Sequence, residues 1–257
     1  MNSHKHILLT NDDGIDSKGL FALYMELKKL GDVTVVAPHI ERSAVGHAIT
    51  IHNPLRVIEY SRPDKFHGYA IDGTPADCVK IAASHIMRKK PDLVVSGINH
   101  GPNTATNILY SGTVSAATEG IILGIPAIAS SLMSFDLKAD VSFAAEFTAK
   151  LARMVLDKGL PADTLLNVNI PSVPRNVITG VEITRLGKGR YEEYFEKRMD
   201  LSHREYYWLA GKKMSLDTED DVDDVAVARN RISITPIHID MTNYKMLDEL
   251  KNWKITL

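Results

Sequence analysis

Asp12 and Asp13 follow the apolar run Ile7-Leu8-Leu9 and stand directly before Gly14. Two carboxylates about 4 Å apart repel by roughly 4 kcal/mol at an effective dielectric of about 20. A hard divalent cation such as Mg²⁺ is the usual relief. The same triplet also suits a helix N-cap, where the carboxylates satisfy orphan backbone N–H groups. Three further segments bear on that choice. His39-Ile-Glu41-Arg42-Ser43-Ala44-Val45-Gly46-His47 is small, hydrogen-bonding and glycine-containing, which suits a ligand loop and an ordinary turn alike. Ser96-Gly97-Ile98-Asn99-His100-Gly101-Pro102-Asn103 follows an apolar stretch. Its glycines allow close backbone approach, and Asn99 offers a neutral carbonyl oxygen to Mg²⁺ or Mn²⁺, though asparagine is also a common turn former. Tyr110-Ser111-Gly112-Thr113 opens a small-residue helix. Helix N–H groups, hydroxyls and the positive helix end favour phosphate there, and Ser or Thr serves equally as a cap.

Several other chemistries are excluded. There is no G-x-x-x-x-G-K-[ST] loop, no G-x-G-x-x-G fingerprint, no G-x-S-x-G elbow and no H-E-x-x-H pair. With 30 Lys and Arg against 32 Asp and Glu the net charge is −2, so the basic footprint of a nucleic-acid polymer binder is missing. The single cysteine, Cys78, allows no intrachain disulfide and fits a reducing compartment. The opening Met-Asn-Ser-His-Lys-His has no signal-type apolar region, and residues 121–129 are too short and too broken by Gly124 and Pro126 to span a membrane. A cytoplasmic protein is expected.

The elements that must position these residues alternate between strand and helix. Residues 7–10, 33–37, 69–71, 92–96 and 127–130 read as strands, and 48–60 as a looser one broken at Asn53-Pro54. Residues 19–30, 75–87, 113–123 and 141–156 read as helices. Apolar, non-alternating strands between amphipathic helices predict an α/β fold with a doubly wound, mostly parallel sheet. Ligands in such sheets gather at the carboxyl ends of the strands, where Asp12 and Asp13 fall. Beyond residue 165 the texture changes. Strands at 165–170, 181–186 and 231–239 and a helix at 246–253 are expected, with an aromatic, charged hairpin at 191–210. We divide the chain into a catalytic core, 1–165, and a C-terminal β-rich extension, 166–257, into which the core sheet continues. Tyr191, Tyr194, Phe195, Tyr206, Tyr207 and Trp208 offer more aromatic area than a lone hairpin can bury, which predicts an arm packing on another subunit. The acidic stretch 217–224 lacks the glycine and glutamate of an EF-hand loop and reads as solvated.

The quoted loops, with Leu8-Leu9-Thr10-Asn11-Asp12-Asp13-Gly14, Gly46-His47-Ala48-Ile49-Thr50 and Asp72-Gly73-Thr74-Pro75-Ala76-Asp77-Cys78-Val79, resemble the SurE family. The likeness continues through Tyr206-Tyr207-Trp208-Leu209 and Ile232-Ser233-Ile234-Thr235-Pro236. That family comprises metal-dependent 5′/3′-nucleotidases tied to stationary-phase survival. The resemblance implies a Rossmann-like domain with a C-terminal arm exchanged in a homodimer or homotetramer. It carries metal ligation onto Asp12, Asp13, Ser43 and Asn99.

The expected activity is hydrolysis of nucleoside 5′-monophosphates by a metal-activated water, with one Mg²⁺ or Mn²⁺ per subunit. Action on 3′-monophosphates and short polyphosphate is implied by the resemblance alone. Asp12 and Asp13 are the catalytic pair, and Ser111, Gly112 and Thr113 the expected phosphate grip. Asn11, Gly46, His47, Gly101, Asn103 and Ser115 form a supporting ring. Two rival readings stand beside this one. A Mg²⁺-dependent phosphoacceptor signalling domain would need a lysine soon after residues 127–131, and none occurs before Lys138. A non-catalytic nucleotide-binding module would bind without releasing phosphate.

Overall fold

The computed structural model describes residues 4–64, 66–253 and 255–256. Residues 1–3 of the opening segment lie outside them. Strand β1 (His6–Thr10) is central, and the alternation of its side chains builds both halves of the core. Ile7 and Leu9 face one apolar cluster with Leu20, Leu23 and Leu27 of α1 (Lys18–Leu27) and with Ala145, Ala149 and Ala152 of α4 (Ser142–Lys158). Leu8 faces the other, with Cys78 and Val79 of α2 (Pro75–Ile81) and with Val114, Ala117 and Ile121 of α3 (Gly112–Ile122). One helix pair therefore covers each face of the sheet, as the doubly wound pattern requires.

The remaining strands are β2 (Asp32–Pro38), β3 (Val57–Ser61), β4 (His67–Ile71), β5 (Leu93–His100), β6 (Ala127–Leu132), β7 (Thr164–Ile170), β8 (Gly180–Ile183) and β11 (Arg231–His238). They join in the order β3-β4-β2-β1-β5-β6-β7-β11-β8. Pairing is parallel from β4 through β7 and between β11 and β8. It is antiparallel at β3/β4 and at β7/β11. The sheet thus runs on past residue 165 without a break.

Local signals explain most boundaries. Pro75 stands at the first turn of α2, and Thr74 and Asp77 close a reciprocal capping box. Burial pulls the Asp77 carboxyl up, but hydrogen bonds from Thr50 and Thr74 outweigh it and hold the group below its ordinary value. The helix expected to reach residue 87 leaves α geometry at Ile81 and finishes as a π turn over Ala82–Ile86. Residues 48–56 form no strand, because Asp77 and Thr74 bind Thr50 and Ala48 in place of a sheet neighbour.

The acidic stretch is solvated only in part: Glu219, Asp220 and Asp221 are exposed as expected, while Asp217, Asp223 and Asp224 are not. Asp223 opens α5 (Asp223–Ala228) and is fully buried, and the Asp217 side chain is 7% exposed. Asp223 accepts from the backbone N–H groups of Ala105 and Gly187, and Asp217 from that of Lys188. These carboxylates replace missing backbone partners and are not solvated. Strands β9 (Arg190–Met199) and β10 (Glu205–Met214) form a separate antiparallel ribbon whose side chains are largely exposed. Helix α6 (Tyr244–Asn252) likewise buries no residue. No helix among the described residues is long and apolar enough to cross a membrane.

Candidate active site

Parallel pairing of Thr10 with Ser96 brings the ends of β1 and β5 side by side. Asp12 and Asp13 thereby meet Asn99 and His100 at one edge of the sheet. The Asn11 side chain closes a turn on Gly14, donating to its carbonyl at 3.0 Å and accepting from its N–H at 3.2 Å. The loop after β2 is stitched on by the Arg42 N–H, which donates to the Asp12 carbonyl at 2.8 Å.

Helix α3 then approaches from the other side. A Cβ on Gly112 would fall 2.6 Å from Asp12 Cβ and 2.8 Å from its Oδ2, so only glycine lets the helix N-terminus lie against this carboxylate. Thr113 donates through Oγ1 to Asp12 Oδ1 at 2.5 Å. Ser111 caps the helix by accepting from the Val114 N–H at 3.1 Å. Of the three residues expected to grip phosphate, Ser111 lines the cavity, while Gly112 and Thr113 pack against Asp12. The Thr113 hydroxyl is thus directed to the nearest fixed anion, an outcome that the cap-like sequence did not reveal.

The electrostatics are unbalanced. Burial, then the neighbouring Asp12, then Glu41 push the Asp13 carboxyl up to about 8, with the His100 backbone N–H opposing weakly. Burial also raises Asp12, despite its hydrogen bonds to Thr113. Asp13 Oδ2 is buried and has no hydrogen-bond partner. Asn99 donates through Nδ2 to the Gly101 carbonyl at 2.8 Å, which leaves its Oδ1 for the site. Ser43 lines the same cavity and donates to Glu41 Oε1 at 2.7 Å. Among the described residues, no three His, Cys, Asp or Glu side chains cluster closely enough to hold a metal by themselves. Two carboxylates with neutral oxygens from Asn99 and Ser43 nevertheless suit a hard divalent cation, and the orphaned Asp13 oxygen is the feature such an ion would satisfy.

Around this centre the supporting residues have distinct tasks. Gly46 donates its N–H to the Tyr110 carbonyl at 3.1 Å. His47 Nε2 lies 2.9 Å from Glu119 Oε2, and Lys80 donates to Glu119 Oε1 at 2.6 Å. Asn103 binds Asn169 and Ser131 and receives Asn167 and Asn169 on its carbonyl, locking the loop after β5 to β6 and β7. Ser115 donates to the Ser111 carbonyl at 2.6 Å.

The cavity above the carboxylates measures about 1070 Å³. That is at the upper end for small-molecule sites. Its far wall comes from the hairpin, through Arg190, Tyr191, Glu193 and Leu209, and from Phe135 and Leu137 after β6. The sequence reading missed these wall residues and the charge of Glu41, because nothing local ties them to Asp12. Only Glu41, in the same loop as Ser43, lay within reach of a sequence signal.

A doubly wound α/β sheet with a carboxylate-floored cavity at its strand ends defines a Rossmann-like ligand-binding protein. The family model described as Survival protein SurE matches residues 7–193, and the chain belongs to the SurE family. It is 50% identical over 250 residues to the 5′-nucleotidase SurE of Chlorobium chlorochromatii, covering 97% of this chain and 92% of that one. It is 51% identical over 251 residues to the 5′-nucleotidase SurE of Carboxydothermus hydrogenoformans, covering 96% and 95%. The crystal structure of the SurE protein from Aquifex aeolicus superposes with a TM-score of 0.84 at 42% identity, over 97% of this chain and all of that one.

Proposed function

We propose that this chain is a metal-dependent phosphomonoesterase that hydrolyses nucleoside 5′-monophosphates to nucleoside and phosphate. The observation that carries the reading is the Asp12–Asp13 pair, Asp12 buried and Asp13 half-buried with its Oδ2 atom enclosed and unpartnered, lining a cavity beside a helix N-terminus. Near-full-length relatives named as 5′-nucleotidases supply the substrate class.

Asp12, Asp13, Asn99 Oδ1 and Ser43 Oγ would hold one Mg²⁺ or Mn²⁺ per subunit. Such an ion supplies Lewis acidity and a nucleophile at neutral pH. Thr113 fixes the Asp12 carboxylate in a single orientation through its hydroxyl. The N-terminus of α3 favours the phosphoryl charge, with the Ser111 side chain at the cavity wall. Phosphoryl transfer needs positioning and charge stabilisation above all, so a covalent enzyme intermediate is not required. Engagement of Asp12 by Thr113 and its contact with Gly112 favour direct attack by water over a route through a phospho-aspartate. The reading includes a cytoplasmic protein that pairs with a second copy through the hairpin, whose Tyr194, Phe195, Tyr207 and Trp208 are all more than half exposed.

The test is release of inorganic phosphate from 5′- and 3′-monophosphates of several bases and from short polyphosphate, in EDTA and with added Mg²⁺ or Mn²⁺. Turnover of 5′-monophosphates should require metal and should fall by at least about tenfold in Asp12→Asn. Metal-independent turnover, or a stable phosphoprotein without phosphate release, would overturn the reading.

A further inference from the structure

Three large side chains at the mouth of the cavity remain mostly in water: Phe135 is 74% exposed, Leu137 66% and Tyr110 65%. Tyr110 ends the 3-10 turn Ala105–Tyr110, Phe135 and Leu137 lie in the loop after β6, and all three line the cavity that holds Asp12 and Asp13 at its floor. Exposed apolar surface of this kind, gathered at one rim, marks a place that a ligand covers. Phe135 is also held in place. Gly101 has φ of +112°, and a Cβ there would lie 2.6 Å from Phe135 Cε1, so the ring rests on bare glycine backbone. Its own loop is pinned by Met133 N–H to the Ile170 carbonyl, Ser134 N–H to the Leu132 carbonyl and Asp136 N–H to Ser134 Oγ. One part of the ring is seated and the rest is free. The same Gly101 carbonyl orients Asn99 beside the carboxylates.

We propose that Phe135 is the platform on which the nucleobase of the substrate stacks while its phosphate lies at the Asp12–Asp13 floor. The proposal rests on the phosphomonoesterase reading for the phosphate end and on the rim geometry for the base end. The cavity, about 1070 Å³ in volume, has room for both. Every nucleobase presents a planar π-face, so a stacking platform selects nucleotides as a class and ranks purines above pyrimidines by area of overlap. Selection against phosphate esters without a base follows from the same contact.

The experiment compares wild type, Phe135→Ala and Phe135→Trp on AMP and on ribose 5-phosphate, which keeps the ester and lacks the base. Phe135→Ala should raise KM for AMP about tenfold with kcat within about twofold, leave ribose 5-phosphate unchanged, and be rescued by Phe135→Trp. Equal shifts for both substrates would show that Phe135 only shapes the Gly101 loop, and no shift for either would show an idle surface ring. Both results overturn the proposal. Fluorescence of 2-aminopurine riboside, which carries no phosphate and so is neither turned over nor dependent on the metal at the floor, should be quenched by wild type and not by Phe135→Ala. Absence of quenching by wild type overturns the platform even if phosphate release is normal. Quenching without phosphate release upholds the platform and overturns the enzymatic reading instead. A drop in oligomer size in Phe135→Ala would assign this surface to a second copy of the chain and would also overturn the proposal.

Discussion

A carboxyl raised to about 8 is mostly neutral at pH 7 unless a cation displaces its proton, and Asp13 is such a group. Because the folded state holds that proton more tightly than the unfolded chain, the stability it contributes is full below the ordinary value of 3.8 and is lost as pH rises to about 8. In EDTA, wild type should therefore lose melting temperature relative to Asp13→Asn across that interval, and added Mn²⁺ should restore it. Parallel melting curves for the two proteins would show that Asp13 carries no such strain. Thr113 makes a second residue-scale case. Thr113→Val keeps the shape but removes a hydrogen bond to a buried carboxylate, a contact of about 1.5–3 kcal/mol. Calorimetry should find metal affinity lowered about tenfold or more. An unchanged affinity would return Thr113 to the phosphate-gripping task that its place in the sequence suggests.

At the scale of elements, the loop between β2 and β3 carries part of the site and forms no strand over residues 39–56. It is held at separate points: Arg42 on Asp12, Gly46 on Tyr110, His47 on Glu119 and Thr50 on Asp77. Glu119, only 2% exposed within α3, joins this loop to α2 through Lys80. Burial raises its carboxyl, but His47 and Lys80 outweigh that and hold it below the ordinary value of 4.5. Its stabilisation is present above pH 4.5 and is lost as pH falls through the lowered value. Glu119→Gln should lower stability by about 1–3 kcal/mol near neutral pH. The difference should vanish in acid, as denaturant melts at several pH values would report. A difference that persists in acid would mean that packing, not charge, supplies the effect.

For the whole molecule, the ribbon of β9 and β10 pairs only with itself, yet its base forms one wall of the cavity. Lys213, near the end of β10, donates to Thr104 Oγ1 at 2.7 Å and pairs with Asp224 of α5, and Thr106 donates to the Gly189 carbonyl at 2.9 Å. The arm is therefore anchored at its root while its aromatic tip lies bare. Two-stranded ribbons are marginal alone, and an exchange across a two-fold axis would cover both tips at once. Light scattering at micromolar concentration should give a multiple of the 28.5 kDa chain mass. Deleting residues 191–213 should give a monomer or a poorly soluble product. A wild-type monomer of full activity would refute the exchange.

What was legible in the sequence was whatever short-range rules control. Apolar strands alternating with amphipathic helices announced the doubly wound sheet, because burial on both faces leaves that periodic trace at each element separately. The placement of Asp12, Asp13 and Asn99 together at the strand ends was legible because strand ends and glycine-rich loops carry their own chemical signature. Tertiary structure alone decided that Thr113 serves Asp12, that Asp223 is a buried backbone partner and not a solvated acid, and that Phe135 lies on Gly101 at the cavity mouth. Each of those contacts joins residues 34 to 118 positions apart. Their energy depends on desolvation and on which groups the fold brings together, and neither quantity is written in the local order of residues.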